Sequence, residues 1–376
     1  MEKPKVRISV RNLVEFILRS GDLDNSRGSS GDKEAMLKGG RLHRKIQRSM
    51  KGNYQAEVSL KRESEYEDTI IQVEGRADGI FTEDGEVWID EIKGTYGNLQ
   101  AMEMPVPVHR AQAMCYGWIY GEKEGLSQIG IQMTYSHLDT EDTRRFREIF
   151  SMEELKKWYQ ELLDAYHKWI AYSLSWKKER NASMTDLQFP FPYREGQREI
   201  VSGVYHTVSS KKTLFVQAPT GVGKTMSAIF PSVRAIGEGK GETLFYLTAK
   251  TITGTVAWEA FHTLRENGLK FKVTAITAKE KLCFLDSPEC TPEKCPYAKG
   301  HFDRVNDAVY ELWTTEEVYS REVIRAHAEK WQVCPFEMCL DLSVWVDGVI
   351  CDYNYAFDPN VHLKRFFGEN ISGDYI

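Results

Sequence analysis

Thr213-Leu-Phe-Val-Gln-Ala-Pro-Thr-Gly-Val-Gly-Lys-Thr225 sets an apolar run before a loop that carries glycine at 221 and 223 and ends on Lys-Thr. A strand over Thr213–Gln217, a glycine loop and a helix from Lys224 make the arrangement that cradles phosphate. Gly221 and Gly223 let the backbone turn its N–H groups inward, and Thr220 and Val222 complete the loop. Lys224 suits a bridge between β- and γ-phosphates, and Thr225 suits Mg2+. Thr220 through Thr225 are therefore candidate ATP ligands, with Lys224 also a candidate catalytic group. Ala218 stands where the usual pattern opens with glycine.

Working outward, Thr243–Leu247 reads as a strand and a helix fits from Thr253. Strand, helix, strand, helix predicts a parallel sheet. Farther along come Cys283, Cys290, Cys295 and Cys334, with spacings of six, four and 38 residues between them. A zinc ribbon needs paired C-x2-C knuckles, and there are none. Widely spaced thiolates on an insertion suit a 4Fe–4S cluster, in which each iron takes one soft ligand from its own direction. The stretch from Cys283 to Cys334 reads as mainly helical, around Arg304–Leu312 and Glu316–Lys330.

These motifs carry a resemblance. Lys-Leu-Cys283, Cys295-Pro-Tyr and Val-Cys334-Pro-Phe are similar to the cluster contexts of the XPD/DinG family of iron–sulfur DNA helicases. In that family the cluster domain is inserted into the first motor domain. Cys339 competes with Cys334 as fourth ligand, and the family pattern favours Cys334. Phe191-Pro-Tyr-Arg-Glu-Gly-Gln197 resembles the Q motif of superfamily 2 helicases, which implies that Gln197 reads adenine. An alanine at the place of Ala218 is common in such helicases. Leu247-Thr-Ala-Lys-Thr-Ile-Thr253 resembles motif Ia, which implies that Thr248, Lys250 and Thr251 hold single-strand phosphates. Val349-Ile-Cys-Asp352-Tyr supplies one carboxylate at a strand end, but Tyr353 stands where a helicase has Glu. Phe357-Asp-Pro359 and Gly373-Asp-Tyr-Ile376 are similar to the approach to the acidic box of the family. The resemblance thus implies the N-terminal part of a helicase, deficient by itself in ATP hydrolysis.

The first 150 residues carry a second chemistry. Helices fit Arg11–Arg19 and Lys33–Met50, with a Gly/Ser/Asp-rich loop over Gly21–Gly31 between them. Strands fit Tyr54–Leu60, Ile70–Phe81 and Val87–Thr95, and Glu83-Asp-Gly-Glu86 joins the last two as a hairpin. A helix over Val108–Gly121, a strand over Ile129–Tyr135 and a long helix over Met152–Leu174 follow. Asp78 and Glu91 flank the hairpin, and alternation puts Glu91 and Lys93 on one face. Together they suit a Mg2+ or Mn2+ ion and a water aimed at a phosphodiester, with the lysine stabilising developing charge. Asp78, Glu91 and Lys93 are candidate catalytic residues, and the pattern resembles the PD-(D/E)XK nuclease superfamily. Similarity to its RecB-like branch implies His43 as a further metal ligand and Gln112 and Tyr116 as groups that position DNA. The competing reading keeps the nuclease fold only as a DNA grip.

The fold expectation is therefore α/β: a PD-(D/E)XK mixed sheet with flanking helices over 1–176, a linker at 177–190, and an incomplete RecA-like P-loop domain over 191–376 with an iron–sulfur insertion at 279–340. The implied function is an ATP-dependent helicase-nuclease in DNA repair or recombination, acting on single-stranded, forked or overhanging DNA, with ATP, Mg2+ or Mn2+ and a 4Fe–4S cluster as cofactors. A metabolic P-loop enzyme with structural zinc is disfavoured by the cysteine spacing. Net charge is -6 over 376 residues, so the whole chain carries no basic signal for nucleic acid. Residues 1–51 do, with 13 Lys/Arg against 6 Asp/Glu. No apolar run reaches membrane-spanning length, and a monomeric cytoplasmic protein is expected.

Overall fold

The computed structural model describes residues 3–25, 33–50, 52–249, 251–359, 361–367 and 374–376. The chain divides into two compact units. Unit 1 holds Met1–Ser20 and Asn25–Ala171; unit 2 holds Gly21–Asp24 and Tyr172–Ile376.

Unit 1 runs β1 (Lys5–Ser9), α1 (Val10–Ile17), α2 (Lys33–Ser49), β2 (Gln55–Glu65), β3 (Ile70–Glu83), β4 (Glu86–Thr95), α3 (Pro107–Glu124), β5 (Gln128–His137), β6 (Thr143–Ser151) and α4 (Met152–Thr185), the last continuing into unit 2. Its sheet is six-stranded in the order β1-β3-β4-β5-β6, with β2 also paired to β3. The sheet is mixed: β1 with β3 and β4 with β5 run parallel, and the other pairs antiparallel. Asp84 and Gly85 both have positive φ, 53° and 85°. That pair makes the two-residue hairpin turn whose twist matches its strands. Ser9 caps α1, its hydroxyl accepting from Asn12 N at 3.1 Å, and Pro107 opens α3 where its missing N–H costs nothing.

Leu42 and Ile46 of α2 pack with Ile92 of β4. Burying each contributes roughly 1.5–3 kcal/mol, enough to hold α2, and with it His43, on the sheet. Strands β1 and β6 were not expected. Their Lys-Val-Arg-Ile-Ser and Thr-Arg-Arg-Phe-Arg-Glu-Ile-Phe-Ser sequences alternate charge with apolar residues, as edge strands do.

Unit 2 contains the end of α4, then α5 (Gln197–Ser209), α6 (Lys224–Gly237), β7 (Leu244–Thr248), α7 (Thr251–Glu266), β8 (Val273–Ala275), α8 (Lys279–Leu282), α9 (His301–Thr315), β9 (Val318–Tyr319), α10 (Arg321–Trp331), α11 (Pro335–Leu342), β10 (Gly348–Asp352), α12 (Asn354–Phe357) and α13 (Lys364–Phe367). Its four strands lie in the order β7-β10-β8-β9, all parallel. Ile229, Val233 and Ile236 of α6, with Phe261 and Leu264 of α7, pack with Val273 and Ile350 of the sheet.

Three expectations need correction. Thr213–Gln217 forms no strand: the outer edge of β7 is taken by Asp374–Ile376, through Phe245 N to Ile376 O at 2.8 Å and Ile376 N to Thr243 O at 3.0 Å. Strand propensity without a partner is not enough, and Phe215 stands 93% exposed. The expected linker at 177–190 is instead helical as far as Thr185, continuing α4. Trp176, Arg180 and Met184 repeat at four-residue spacing and are all buried. Trp176 Nε1 and Arg180 Nη1 donate to the Asp347 carboxylate, each at 2.8 Å, and Lys272 N joins them at 2.8 Å. A buried ion pair with its remaining acceptor filled is the tolerable kind. Finally, the cysteine segment is helical only after Gly300, and Glu316–Lys330 splits into β9 and α10.

Candidate functional site

In unit 1 the β3–β4 ladder ends at Gly79 with Asp90. Beyond that point the strands part. Asp78 fills the gap, its Oδ2 accepting from Ile92 N at 2.7 Å, a donor that would otherwise be orphaned. Gln47 of α2 donates to Asp78 O at 2.9 Å, and His43 Nδ1 lies 3.6 Å from Asp78 Oδ1. Lys93 Nζ lies 2.8 Å from Glu91 Oε1 and donates to Gln112 Oε1 at 2.8 Å. Tyr116, one turn after Gln112 on α3, is buried with its hydroxyl against Gly75, where a Cβ would sit 2.7 Å away.

All six predicted residues thus gather at the opening between β3 and β4. Glu91 is 5% exposed, and its Oε2 has no hydrogen-bond partner among the described residues. Burial and the neighbouring Asp78 charge push it up to about 7, against the pull of Lys93 and His43. Burial pulls His43 down, but Asp78 and Glu91 outweigh it and the net shift is upward. His109, a turn before Gln112, is lowered to about 4 by burial and by Lys93, and its Nδ1 lies 3.1 Å from Tyr135 Oη.

Among the described residues, no three His, Cys, Asp or Glu side chains form a ready-made cage for one ion. His43 sits beside Asp78, while Glu91 is engaged by Lys93. The set nonetheless suits a hard divalent cation: two mutually repelling carboxylates, one with a buried oxygen unpaired, and a half-buried imidazole alongside.

In unit 2 the phosphate loop precedes α6. Gly221 and Gly223 have φ of 85° and 83°, the left-handed region that turns successive N–H groups inward. Thr220 and Lys224 are exposed; Val222, Gly223 and Thr225 are half-buried. Lys224 Nζ donates to Ala218 O at 3.1 Å and Pro219 O at 2.8 Å, folded over its own loop. Tyr246 of β7 donates to Thr225 Oγ1 at 3.3 Å. Gln197, the first residue of α5, is buried against the loop: a Cβ on Gly223 would lie 2.4 Å from its Nε2. Its Oε1 accepts from Arg194 N at 3.0 Å, and the Arg194 guanidinium donates to Gly221 O. Arg194 was missed, although it sits within the quoted Gln197 segment.

Thr248 closes β7 beside Asp352, which closes β10. Both stand at the carboxyl ends of parallel strands, where open α/β sheets bind ligands. Thr251 opens α7, and Lys250 lies outside the described residues, as do residues 26–31 of the expected loop.

The four cysteines line one narrow pocket, with Leu23, Lys279 and Tyr297 among its other walls. Cys283 follows α8, Cys290 and Cys295 lie before α9, and Cys334 caps α11. Leu285 N donates to Cys283 Sγ at 3.4 Å, and Lys279 Nζ lies 3.6 Å from Cys290 Sγ. Cys339 faces elsewhere, 3.6 Å from Thr274 Oγ1. Thiols that share a pocket without converging on a point suit several irons, one per sulfur, better than a single ion. Cys115 and Cys351 are buried. Cys351 is pushed up to about 12 by burial and the Asp352 charge, as for structural thiols. No helix among the described residues is long and apolar enough to cross a membrane.

No family model matches the chain. A protein of Methanocaldococcus jannaschii described as "Probable ATP-dependent helicase" is 40% identical over 47 residues, which is 12% of this chain and 7% of that relative. Among solved structures, the crystal structure of SSO0001 overlaps 43% of this chain and 78% of its own, at 20% identity and a TM-score of 0.29. An XPD helicase overlaps 49% of this chain and 32% of its own, at 15% identity and a TM-score of 0.33. A truncated XPD overlaps 45% and 47%, at 16% identity and a TM-score of 0.29. Superpositions this loose decide nothing about the fold.

Proposed function

We propose that this chain belongs to an ATP-dependent DNA helicase-nuclease, in which unit 2 is a RecA-like motor element with a 4Fe–4S insertion and unit 1 a PD-(D/E)XK nuclease of the RecB-like kind. The observation that carries this reading is that Cys283, Cys290, Cys295 and Cys334 line one pocket in the same unit as the phosphate loop. The local likeness to a helicase relative supports it.

In unit 2, Lys224 leaves the carbonyls of Ala218 and Pro219 to meet the nucleotide phosphates, and Gln197 reads the base from its seat against Gly223. Thr248, at the carboxyl end of β7, is assigned to strand phosphates together with Lys250 and Thr251 of the same sequence motif. Cys334, rather than Cys339, is the fourth cluster ligand.

In unit 1, Asp78, Glu91 and His43 hold Mg2+ or Mn2+, which when bound lowers the pKa of an attacking water. Lys93, held by Gln112, places its ammonium where charge develops on the phosphodiester. Tyr116 supports the DNA strand beside it.

The test is purification without oxygen. The expected protein is brown, absorbs broadly near about 400 nm and carries about four irons per chain. A colourless zinc protein overturns the motor reading.

A further inference from the structure

One wall of the cysteine pocket comes from far upstream. Gly21–Asp24 leaves unit 1 between α1 and α2, joins unit 2, and the chain returns to unit 1 at Asn25. Leu23 is 7% exposed and packs with Cys295, Ala298 and Cys334. It also lines the pocket shared by all four cysteines.

Four hydrogen bonds fasten this segment, and each meets a need of the chain it touches. Leu23 N donates to Ala298 O at 2.8 Å. Gly300 N donates to Asp22 Oδ1 at 2.6 Å and Phe302 N to Gly21 O at 2.9 Å. Gly21 N donates to Asp303 Oδ1 at 2.7 Å. Helix α9 has no side-chain cap of its own: its N-cap is Gly300, in the left-handed region at φ 60°. The first N–H groups of a helix have no partner within it. Here Asp22 and Gly21 O supply partners from a sequence distance of about 280 residues. The segment is thus a cap for α9 and a lid over the cysteines at once.

We propose that Gly21–Asp24 is a built-in seal of the cysteine pocket, with Leu23 as its plug and Asp22 as its latch. The inference rests on the cluster reading of that pocket. A leucine side chain packed on Cys295 and Cys334, the two buried members of the four, keeps water and small oxidants from their sulfurs, while contributing no ligand itself. Leu23 is therefore a positioning residue: it governs how long the pocket keeps its contents rather than whether it fills. The seal is drawn from the chain between α1 and α2, so a helicase core without that chain would have an open pocket.

The test compares full-length wild type with Leu23→Ser and Leu23→Met, loaded without oxygen to equal iron content and then exposed to air. Absorbance near about 400 nm, the charge-transfer band of the cluster, should decay several-fold faster in Leu23→Ser, with Leu23→Met restoring the wild-type rate. Equal decay in all three overturns the seal. A wild type that never holds iron sinks the cluster reading instead. The seal is then judged by iodoacetamide alkylation of Cys295 and Cys334 in metal-free protein, read by mass spectrometry. Several-fold faster labelling in Leu23→Ser supports it, and equal labelling overturns it. If Leu23→Ser fails to fold, Asp22→Ala carries both measurements with the same two outcomes.

Discussion

The opening between β3 and β4 and the loop before α6 are both candidate phosphate-chemistry sites, built in opposite ways. At the first, regular strands bring Asp78, Glu91 and Lys93 together and leave a buried carboxylate oxygen unpaired. At the second, the polar groups are on a loop whose lead-in residues Leu214–Val216 are exposed, and Lys224 is spent on its own carbonyls. On the proposed reading, the first site stores its cost in the fold and is relieved by a cation, and the second is completed by its nucleotide. Substitutions at the first should therefore change both stability and activity, and substitutions at the second mainly affinity.

The sharpest effect is expected from Glu91→Gln, which removes a ligand charge. Mn2+-dependent cleavage of single-stranded DNA should fall roughly 10²–10³-fold, while the melting midpoint of metal-free protein at pH 8 rises. A fall in that midpoint would mean Glu91 is already compensated.

Next comes pH. Glu91 is raised to about 7 from 4.5, so its contribution to stability is complete below about 4.5 and is lost as pH rises through about 7. His43, also raised, slopes the same way. His109 is lowered to about 4 from 6.5, so its contribution is complete above about 6.5 and is lost as pH falls through about 4. The two oppose each other in one window. Glu91→Gln should leave stability rising between pH 5 and 6.5, and His109→Gln should leave it falling, each by about 2 kcal/mol at most. Parallel slopes in the two variants, followed by thermal melting, would break the assignment.

A smaller effect is expected from Gln112→Ala, which frees Lys93. Cleavage should drop roughly 10–100-fold, as for groups that orient a catalytic side chain, with Mn2+ affinity unchanged. Smallest is Gly223→Ala, which forces a Cβ into the left-handed region and against Gln197. Nucleotide binding, by titration calorimetry, should weaken about tenfold, from about 1–2 kcal/mol of strain, with no change in DNA cleavage.

Asp78, Glu91 and Lys93 were legible because strand alternation and the Asp84-Gly85 turn fix which side chains share a face. His43, Gln112 and Tyr116, on helices, were named only through the resemblance to the RecB-like branch. The unpaired Glu91 oxygen was not legible, since it depends on where the β3–β4 ladder stops. Leu214-Phe-Val216 read as a strand on propensity, but pairing is a property of neighbours, and Asp374–Ile376 holds that edge of β7. Arg180 looked like linker because its partner, Asp347, lies far downstream. The same distance hid Leu23, which no local pattern connects to Cys295 or Cys334.

The proposed function comprises two chemistries that can be switched off separately. The direct measurement is a crossed comparison of Lys93→Ala and Lys224→Ala, each assayed for Mn2+-dependent cleavage of single-stranded DNA and for ATP binding. Lys93→Ala should lose cleavage and keep ATP binding, and Lys224→Ala should do the reverse. Cleavage at the wild-type rate in Lys93→Ala, or loss of both activities in either variant with its melting midpoint intact, would contradict it.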